Sequence, residues 1–206
     1  MDFAFPVQEV FGPTIQGEGH WAGRVVGFIR LFGCPVRCPW CDTGYSDGGK
    51  GLPKTNLSIS ELVAKVRAMG VGAVVISGGE PFIHPSLPVL VKSLADHGLA
   101  VSVETSGSAG APMPGAWITL SPKAHVSPRY PVQPGFWEAA SEVKLVVDDG
   151  SEPQYYQEEL RQFQGPVFLQ PQWENRAEAL AIVLRLLQDY PSWRVSLQQH
   201  KLIGLP

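Results

Sequence analysis

The sequence predicts an α/β fold: an open, partial (β/α) barrel with about six parallel core strands and few covering helices. Three observations predict it. Short apolar runs alternate with helical stretches along most of the chain, the pattern of parallel strands joined by crossovers. The 206 residues fall short of the roughly 250 typical of a full eight-stranded barrel. Two crossovers, 107–115 and 126–134, carry no helical signal.

The elements follow in order. VVGFIRLF at 25–32 reads as the first barrel strand and feeds straight into a cysteine loop. Residues 58–69 read as a helix: Ser58 and Glu61 make a capping box, Ile59, Leu62, Val63, Val66 and Met69 form one apolar face, and Gly70 stops it. A buried strand at 73–77 ends in Gly78 and Gly79. A second helix, 86–97, turns Leu87, Leu90, Val91 and Leu94 inward and ends at Gly98. Strands at 100–104, 116–120 and 142–147 follow. Ser151 is expected to cap a helix running to Phe163, ahead of a strand at 166–170. Asn175 and Glu178 open a long helix that ends before Pro191, and 194–199 is the last strand. All 206 residues are read as one domain, with a polar loop at 14–19, a cysteine loop at 34–43 and an apolar tail at 200–206 that closes the site.

Composition excludes several function classes. The chain is 44% hydrophobic and 17% charged, which makes it globular. A net charge of −3 gives no basic footprint for nucleic acid. No apolar run reaches the length of a membrane span, and MDFAFPVQEVFG is no signal peptide. The expected compartment is the reducing cytoplasm.

The polar motifs sit where a barrel places its chemistry. Residues 34–41, 78–80, 104–106, 121–123 and 170–172 all follow predicted strands, so they should converge on one rim. All three cysteines stand together in Cys34-Pro35-Val36-Arg37-Cys38-Pro39-Trp40-Cys41. Three thiolates on one short loop suit one face of a [4Fe–4S] cluster, which normally takes four, so one iron keeps an open position. A zinc site with His20, His84 or Asp42 as fourth ligand is the next reading, and a reactive thiol the third. Disulfide pairing would leave an odd cysteine.

Other residues admit two readings each. Gly78-Gly79-Glu80 lets backbone approach a ligand closely, or is a simple turn. Glu104-Thr105-Ser106-Gly107 is a polar ligand turn or a capped turn. Arg30 lies in an apolar strand on the same side as Phe28 and Phe32, and needs an anion: an internal carboxylate, or a substrate carboxylate held bidentately. Thr43 caps a turn, or sets a hydroxyl near Mg²⁺. The loop at 14–19 is solvated, or reads donors and acceptors of a heterocycle.

CxxxCxxC with an aromatic residue, Trp40, before its last cysteine resembles the radical S-adenosylmethionine (SAM) superfamily, in which the open iron is chelated by SAM. Taken in order, TIQGEGHWAGR, CPVRCPWCDT, SGGEP, ETSG, SPKA, LQPQ and HKLIGLP look more narrowly like the 7-carboxy-7-deazaguanine synthase family of the 7-deazapurine (queuosine precursor) pathway. The likeness touches nearly the whole chain; Ser77 stands where Thr is frequent, with the hydroxyl kept.

The resemblance implies a cytoplasmic lyase that contracts 6-carboxy-5,6,7,8-tetrahydropterin to 7-carboxy-7-deazaguanine with loss of ammonia. A hydrogen is taken from the carbon bearing the carboxylate. It implies that Cys34, Cys38 and Cys41 hold the cluster. Trp40, Cys41, Asp42, Gly79, Glu104, Ser121, Pro122, Lys123, Gln170, Pro171, Gln172 and Trp173 would border SAM, and Thr43 would serve Mg²⁺. Ile15, Gln16, Gly17, Glu18, Arg30, Ser77, His200 and the carboxylate of Pro206 would surround the pterin, with Leu202, Ile203 and Leu205 packing the tail down. A flavodoxin- or ferredoxin-type electron donor and a homodimer are also implied, with no nucleic-acid or membrane partner. Two other readings stay open: another radical SAM enzyme, such as a glycyl-radical activase, or a non-catalytic zinc or iron–sulfur sensor.

Overall fold

Alternation along the strands decides what faces the site. The computed structural model describes residues 3–127 and 129–206. The parallel strands are β2 (Val25–Leu31), β4 (Ala73–Gly78), β5 (Ala100–Thr105), β6 (Trp117–Leu120), β7 (Glu142–Val147), β8 (Val167–Pro171) and the two-residue β9 (Arg194–Val195). One set of residues on them, including Ile29, Leu31, Val74, Ile76, Val101, Val103, Ile118 and Leu120, packs into the main hydrophobic core. That core includes α1 (Ile59–Ala68) and α2 (Leu87–Asp96). Val143, Leu145, Val147, Val167 and Leu169 join a second core with α6 (Arg176–Asp189). The intervening residues point the opposite way. Phe28, Arg30, Ser77, Glu104, Lys144, Val146 and Gln170 therefore line the cleft at the strand ends.

The sheet does not close. Among the described residues its order is β3-β1-β2-β4-β5-β6-β7-β8-β9, with β1 (Ala4–Ile15) and β3 (Thr55–Ser58) added antiparallel beside β2. The expected open α/β architecture is what forms, and the six expected core strands are β2 and β4 to β8. The antiparallel extension is new. β1 contains Pro6, Gly12 and Pro13, residues that weaken a strand reading. Pro6 accepts Phe32 N–H (2.8 Å) just past the end of β2, and Pro13 lies within a register shift, positions where the ladder tolerates a missing N–H.

The helices match in part. α1 starts with the full capping box, Glu61 N–H donating to Ser58 Oγ (3.2 Å) and Ser58 N–H to Glu61 Oε2 (2.7 Å). Gly70 ends it at φ +69°, left-handed backbone that suits glycine. The helix expected over 151–163 is broken into α4 (Glu152–Tyr155) and α5 (Gln157–Gln162). Tyr156 between them turns inward, and its ring is almost fully buried against Trp137 and His125. Ser151 does not cap; buried Glu152 instead accepts the N–H groups of Asp148, Asp149 and Gly150. Asn175 makes no side-chain cap at α6 either. A short helix, α3 (Phe136–Ala139), follows the second helix-free crossover. The strand expected over 194–199 stops after Val195, and the chain turns across the strand ends as α7 (Gln199–Leu202).

Candidate active site

The site is a cleft of about 420 Å³ at the C-terminal ends of the strands. The cysteine loop leaves β2 and forms one wall. Tyr45 fixes it from within: it is 1% exposed, its hydroxyl accepts the Gly33 N–H (3.0 Å), and its own N–H points at Cys41 Sγ (3.4 Å). Arg37 Nη1 donates to the Cys34 carbonyl (2.7 Å) and closes the outer turn. The three cysteines are free and partly buried. Burial pushes the Cys34 thiol up to about 12, and burial also raises Cys38. Binding of iron would supply the charge that deprotonates them.

The donor set fits a cluster. Among the described residues no three His, Cys, Asp or Glu side chains are close enough to hold a single metal ion. A cluster gives each thiolate its own iron and needs no such closeness. The fourth zinc ligands considered above are engaged elsewhere. His20 stacks on Trp117, His84 contacts the Phe32 carbonyl (3.1 Å), and Asp42 pairs with Lys201 (2.9 Å).

The glycine turn after β4 is locked to the base of the cysteine loop. Gly79 N–H donates to Leu31 O (3.0 Å) and Glu80 N–H to Gly33 O (2.9 Å). A Cβ on Gly79 would lie 1.8 Å from Gly33 O, so only glycine allows this contact. Glu80, 1% exposed, accepts from Thr105 Oγ1 (2.5 Å), Ser106 N–H (2.8 Å) and Ser106 Oγ (2.5 Å), tying this turn to the one after β5. Ser121 and Lys123 face the cysteines, with Lys123 Nζ donating to Ser121 O (2.7 Å) and Oγ (2.6 Å).

The same cleft holds a buried ionic cluster. Lys144 Nζ donates to Glu18 Oε2, and Gln198 Nε2 to Glu18 Oε1 (2.8 Å). Glu104 Oε1 lies 3.7 Å from Lys144 Nζ and accepts from Gln16 Nε2 (2.9 Å). Burial alone would raise Glu18, but the Lys144 ammonium and the hydrogen bonds overcome it and bring it down to about 2. Burial raises Glu104, against the opposing pull of Lys144. Burial would lower Lys144, but Glu104 and Glu18 hold it well above its ordinary range. The 14–19 loop is locked to the tail: Gln199 N–H donates to Gly17 O (3.0 Å), and a Cβ on Gly17 would strike His200.

Most of the residues expected at the site are brought together. Gln16, Glu18, Arg30, the three cysteines, Trp40, Asp42, Thr43, Ser77, Gly79, Glu104, Ser121, Lys123, the 170–173 segment, His200 and Pro206 all line the cleft. Ile15, Gly17 and Pro122 do not. Ile15 ends β1 opposite Val25, Gly17 sits against His200, and Pro122 is buried. Arg30 has its internal carboxylate, Glu9 (3.0 Å), which takes one guanidinium nitrogen, and Phe32 leaves the strand to pack on Tyr45. The tail differs most from expectation: Leu202, Ile203 and Leu205 are exposed (58%, 62% and 39%). Polar contacts hold it instead, Lys201 to Asp42 and, at its base, Gln199 N–H to Gly17 O, while Leu205 N–H turns the tail back on His200 O (2.8 Å). Lys144 and Gln198 had not been expected. Alternation with Val143, Leu145 and Val147 was the available signal for Lys144; nothing local marks Gln198.

Residues 28–115 match the model of the radical SAM superfamily. With the cysteine loop, the glycine turn and the open sheet, this makes the chain a radical SAM enzyme, and the zinc and sensor readings fall away. A 7-carboxy-7-deazaguanine synthase of Synechocystis is 37% identical over 98% of this chain and 94% of its own. One from Aquifex aeolicus is 37% identical over 99% and 95%, and one from Escherichia coli K12 is 32% identical over 98% and 99%. The crystal structure of QueE from Escherichia coli superposes with a TM-score of 0.81 at 30% identity, covering 94% of this chain and 93% of that one. The chain belongs to the 7-carboxy-7-deazaguanine synthase family. Its superfamily implies a [4Fe–4S] cluster and SAM.

Proposed function

We propose that this chain converts 6-carboxy-5,6,7,8-tetrahydropterin to 7-carboxy-7-deazaguanine and ammonia. The observation that carries the reading is one cleft lined both by the three cysteines and by buried amide, carboxylate and ammonium groups. The first suits a cluster with SAM, and the second a small, polar heterocycle. Family membership over nearly the full chain supports the same substrate. When bound and reduced, the cluster with SAM supplies a 5′-deoxyadenosyl radical, the hard chemistry of the reaction.

The chain's own residues bind and orient. Cys34, Cys38 and Cys41 are the cluster ligands. Trp40, Asp42, Gly79, Ser121, Lys123 and Gln170 to Trp173 border SAM. Thr43 serves Mg²⁺, a role supported by a hydroxyl whose partner among the described residues is Asp42 Oδ1 (3.4 Å). Gln16, Glu18, Ser77, His200 and Pro206 surround the pterin. Arg30 has guanidinium nitrogens beyond the one at Glu9 and receives the substrate carboxylate. A low-potential electron-transfer protein reduces the cluster, and the active form is a homodimer.

The test is an anaerobic reaction of reconstituted protein with SAM, reductant, Mg²⁺ and the carboxypterin, read by mass spectrometry. Formation of 7-carboxy-7-deazaguanine with ammonia is the expected result. SAM cleavage without conversion of the pterin would reassign the substrate, and an active preparation holding zinc without iron would end the reading.

A further inference from the structure

Glu18, Glu80, Glu104 and the exposed Glu174 line the cleft, with Glu142 near Glu104 at the start of β7, and Glu18, Glu80 and Glu142 are fully engaged. Glu80 has both oxygens bonded, to Thr105 and Phe82 on one and Ser106 on the other. Glu142 accepts from Thr119 Oγ1 (2.7 Å) on Oε1 and from His20 N–H (2.8 Å) on Oε2. Glu18 has Lys144 on one oxygen and Gln198 on the other. Glu104 differs. Gln16 and Lys144 both approach its Oε1, no hydrogen bond is made by Oε2 among the described residues, and the side chain lines the cleft at 24% exposure.

We infer that Glu104 is the proton carrier for the loss of ammonia. The proposal rests on the substrate reading above. In that step one C–H bond of the contracted ring breaks and its electron pair becomes a ring C=C bond. The proton passes to Glu104 Oε2. The C–N bond to the departing amine breaks with its pair kept on nitrogen, and Glu104 returns the proton to that nitrogen. Ammonia leaves, the carboxylate is restored, and no oxidant or reductant is consumed. Pinning through Oε1 holds the carboxyl in place while Oε2 gains and gives up the proton.

The charges around the group suit this work. Glu18 faces it from the loop after β1, and Lys144 and Glu142 from β7. One ammonium sits between two carboxylates and bonds Glu18 closely, so Glu104 is the less compensated of the pair. The two are driven apart, Glu18 down to about 2 and Glu104 upward by burial. Such a split marks one carboxylate as a fixed anion and its neighbour as the acid–base group.

The experiment uses Glu104→Gln and pterin deuterated at the carbon that bears the carboxylate. Three quantities are read: equilibrium binding of the pterin to cluster-free protein, deuterium transfer into SAM or 5′-deoxyadenosine in the reconstituted enzyme, and ammonia release. Pterin that binds to the variant should still give up deuterium, because that transfer precedes the proton step. The variant's ammonia release should fall about 100-fold or more, the usual scale of acid–base catalysis, and lose a pH inflection. Wild-type ammonia release per deuterium transferred would overturn the proposal. So would parallel loss of binding, transfer and ammonia, which would make Glu104 a binding group. Failure of the wild type to take deuterium from the pterin would overturn the substrate reading itself.

Discussion

Lys144 is the residue on which the buried half of the site turns. It is 5% exposed and contacts Glu18, itself 11% exposed. Removing one partner of such a pair leaves an uncompensated charge, at a cost of about 3–5 kcal/mol. Lys144→Met should therefore lower the urea midpoint at pH 7 substantially. The pH dependence that Glu18 contributes should weaken. In the wild type its carboxyl sits at about 2 against an ordinary 4.5, so it stabilises the fold above pH 4.5, and this is lost as pH falls toward 2. In the variant burial of Glu18 is opposed only by the weaker pull of Gln198 and His200, so its carboxyl should move upward and the loss of stability in acid should shrink. Glu104, shifted upward, gives a slope of opposite sign, so the comparison is with wild type at each pH. Equal midpoints at pH 7 would show that the pair contributes nothing. His125 supplies an independent slope. Burial and then Lys123 hold it at about 4 against 6.5, so the folded state resists its protonation. Stability should be full above pH 6.5 and fall between 6.5 and 4, and His125→Gln should flatten that interval in chemical denaturation.

At the scale of elements, the cysteine loop and the glycine turn stand or fall together. Tyr45→Phe keeps the ring and removes the acceptor of the Gly33 N–H, a loss of about 1–3 kcal/mol where that amide is shielded. The expected outcome is a folded protein whose reconstituted cluster bleaches faster in air; unchanged bleaching would free Tyr45 from that role. Gly79→Ala should be harsher, because its Cβ meets backbone and not a mobile side-chain end. SAM binding by calorimetry should be lost while the far-ultraviolet spectrum persists. Both motifs were legible because their chemistry is local: cysteine spacing and paired glycines are properties of a few adjacent residues. β2, β4 to β8 and α1 were legible for the same reason, each carrying its own period and caps. β1 was not, since its prolines and glycine read as loop and only pairing with β2 and β3 makes it a strand. The break at Tyr156 was equally hidden, because the force that turns its ring inward comes from His125 and Trp137, distant in sequence.

At the scale of the molecule, the open sheet needs a cover, and the two ends of the described chain supply it together. The 14–19 loop enters from β1 and the segment after β9 crosses above it, joined by Gln199 to Gly17 and Gln198 to Glu18. The sequence located both segments at the site but misjudged what holds the second. Apolar residues suggested burial, yet Leu202 and Ile203 face outward, and the hold is an ion pair, a turn and backbone hydrogen bonds. A segment held this way adds little to global stability, since exposed ion pairs contribute about 0–1 kcal/mol. It is also open to screening by salt. Removal of residues 200–206 should therefore leave the melting temperature and the reconstituted cluster close to those of the full chain. Pterin binding should be lost, because His200, Lys201 and Pro206 line the cleft, with Lys201 tied to Asp42 of the cysteine loop. SAM cleavage without pterin should persist at its basal rate, which separates loss of the cover from loss of the radical site. Lys201→Ala should act in the same direction more weakly, with a pterin affinity less sensitive to added salt than that of the wild type. A truncated protein that still binds pterin tightly would show that the floor of the cleft alone recognises the substrate.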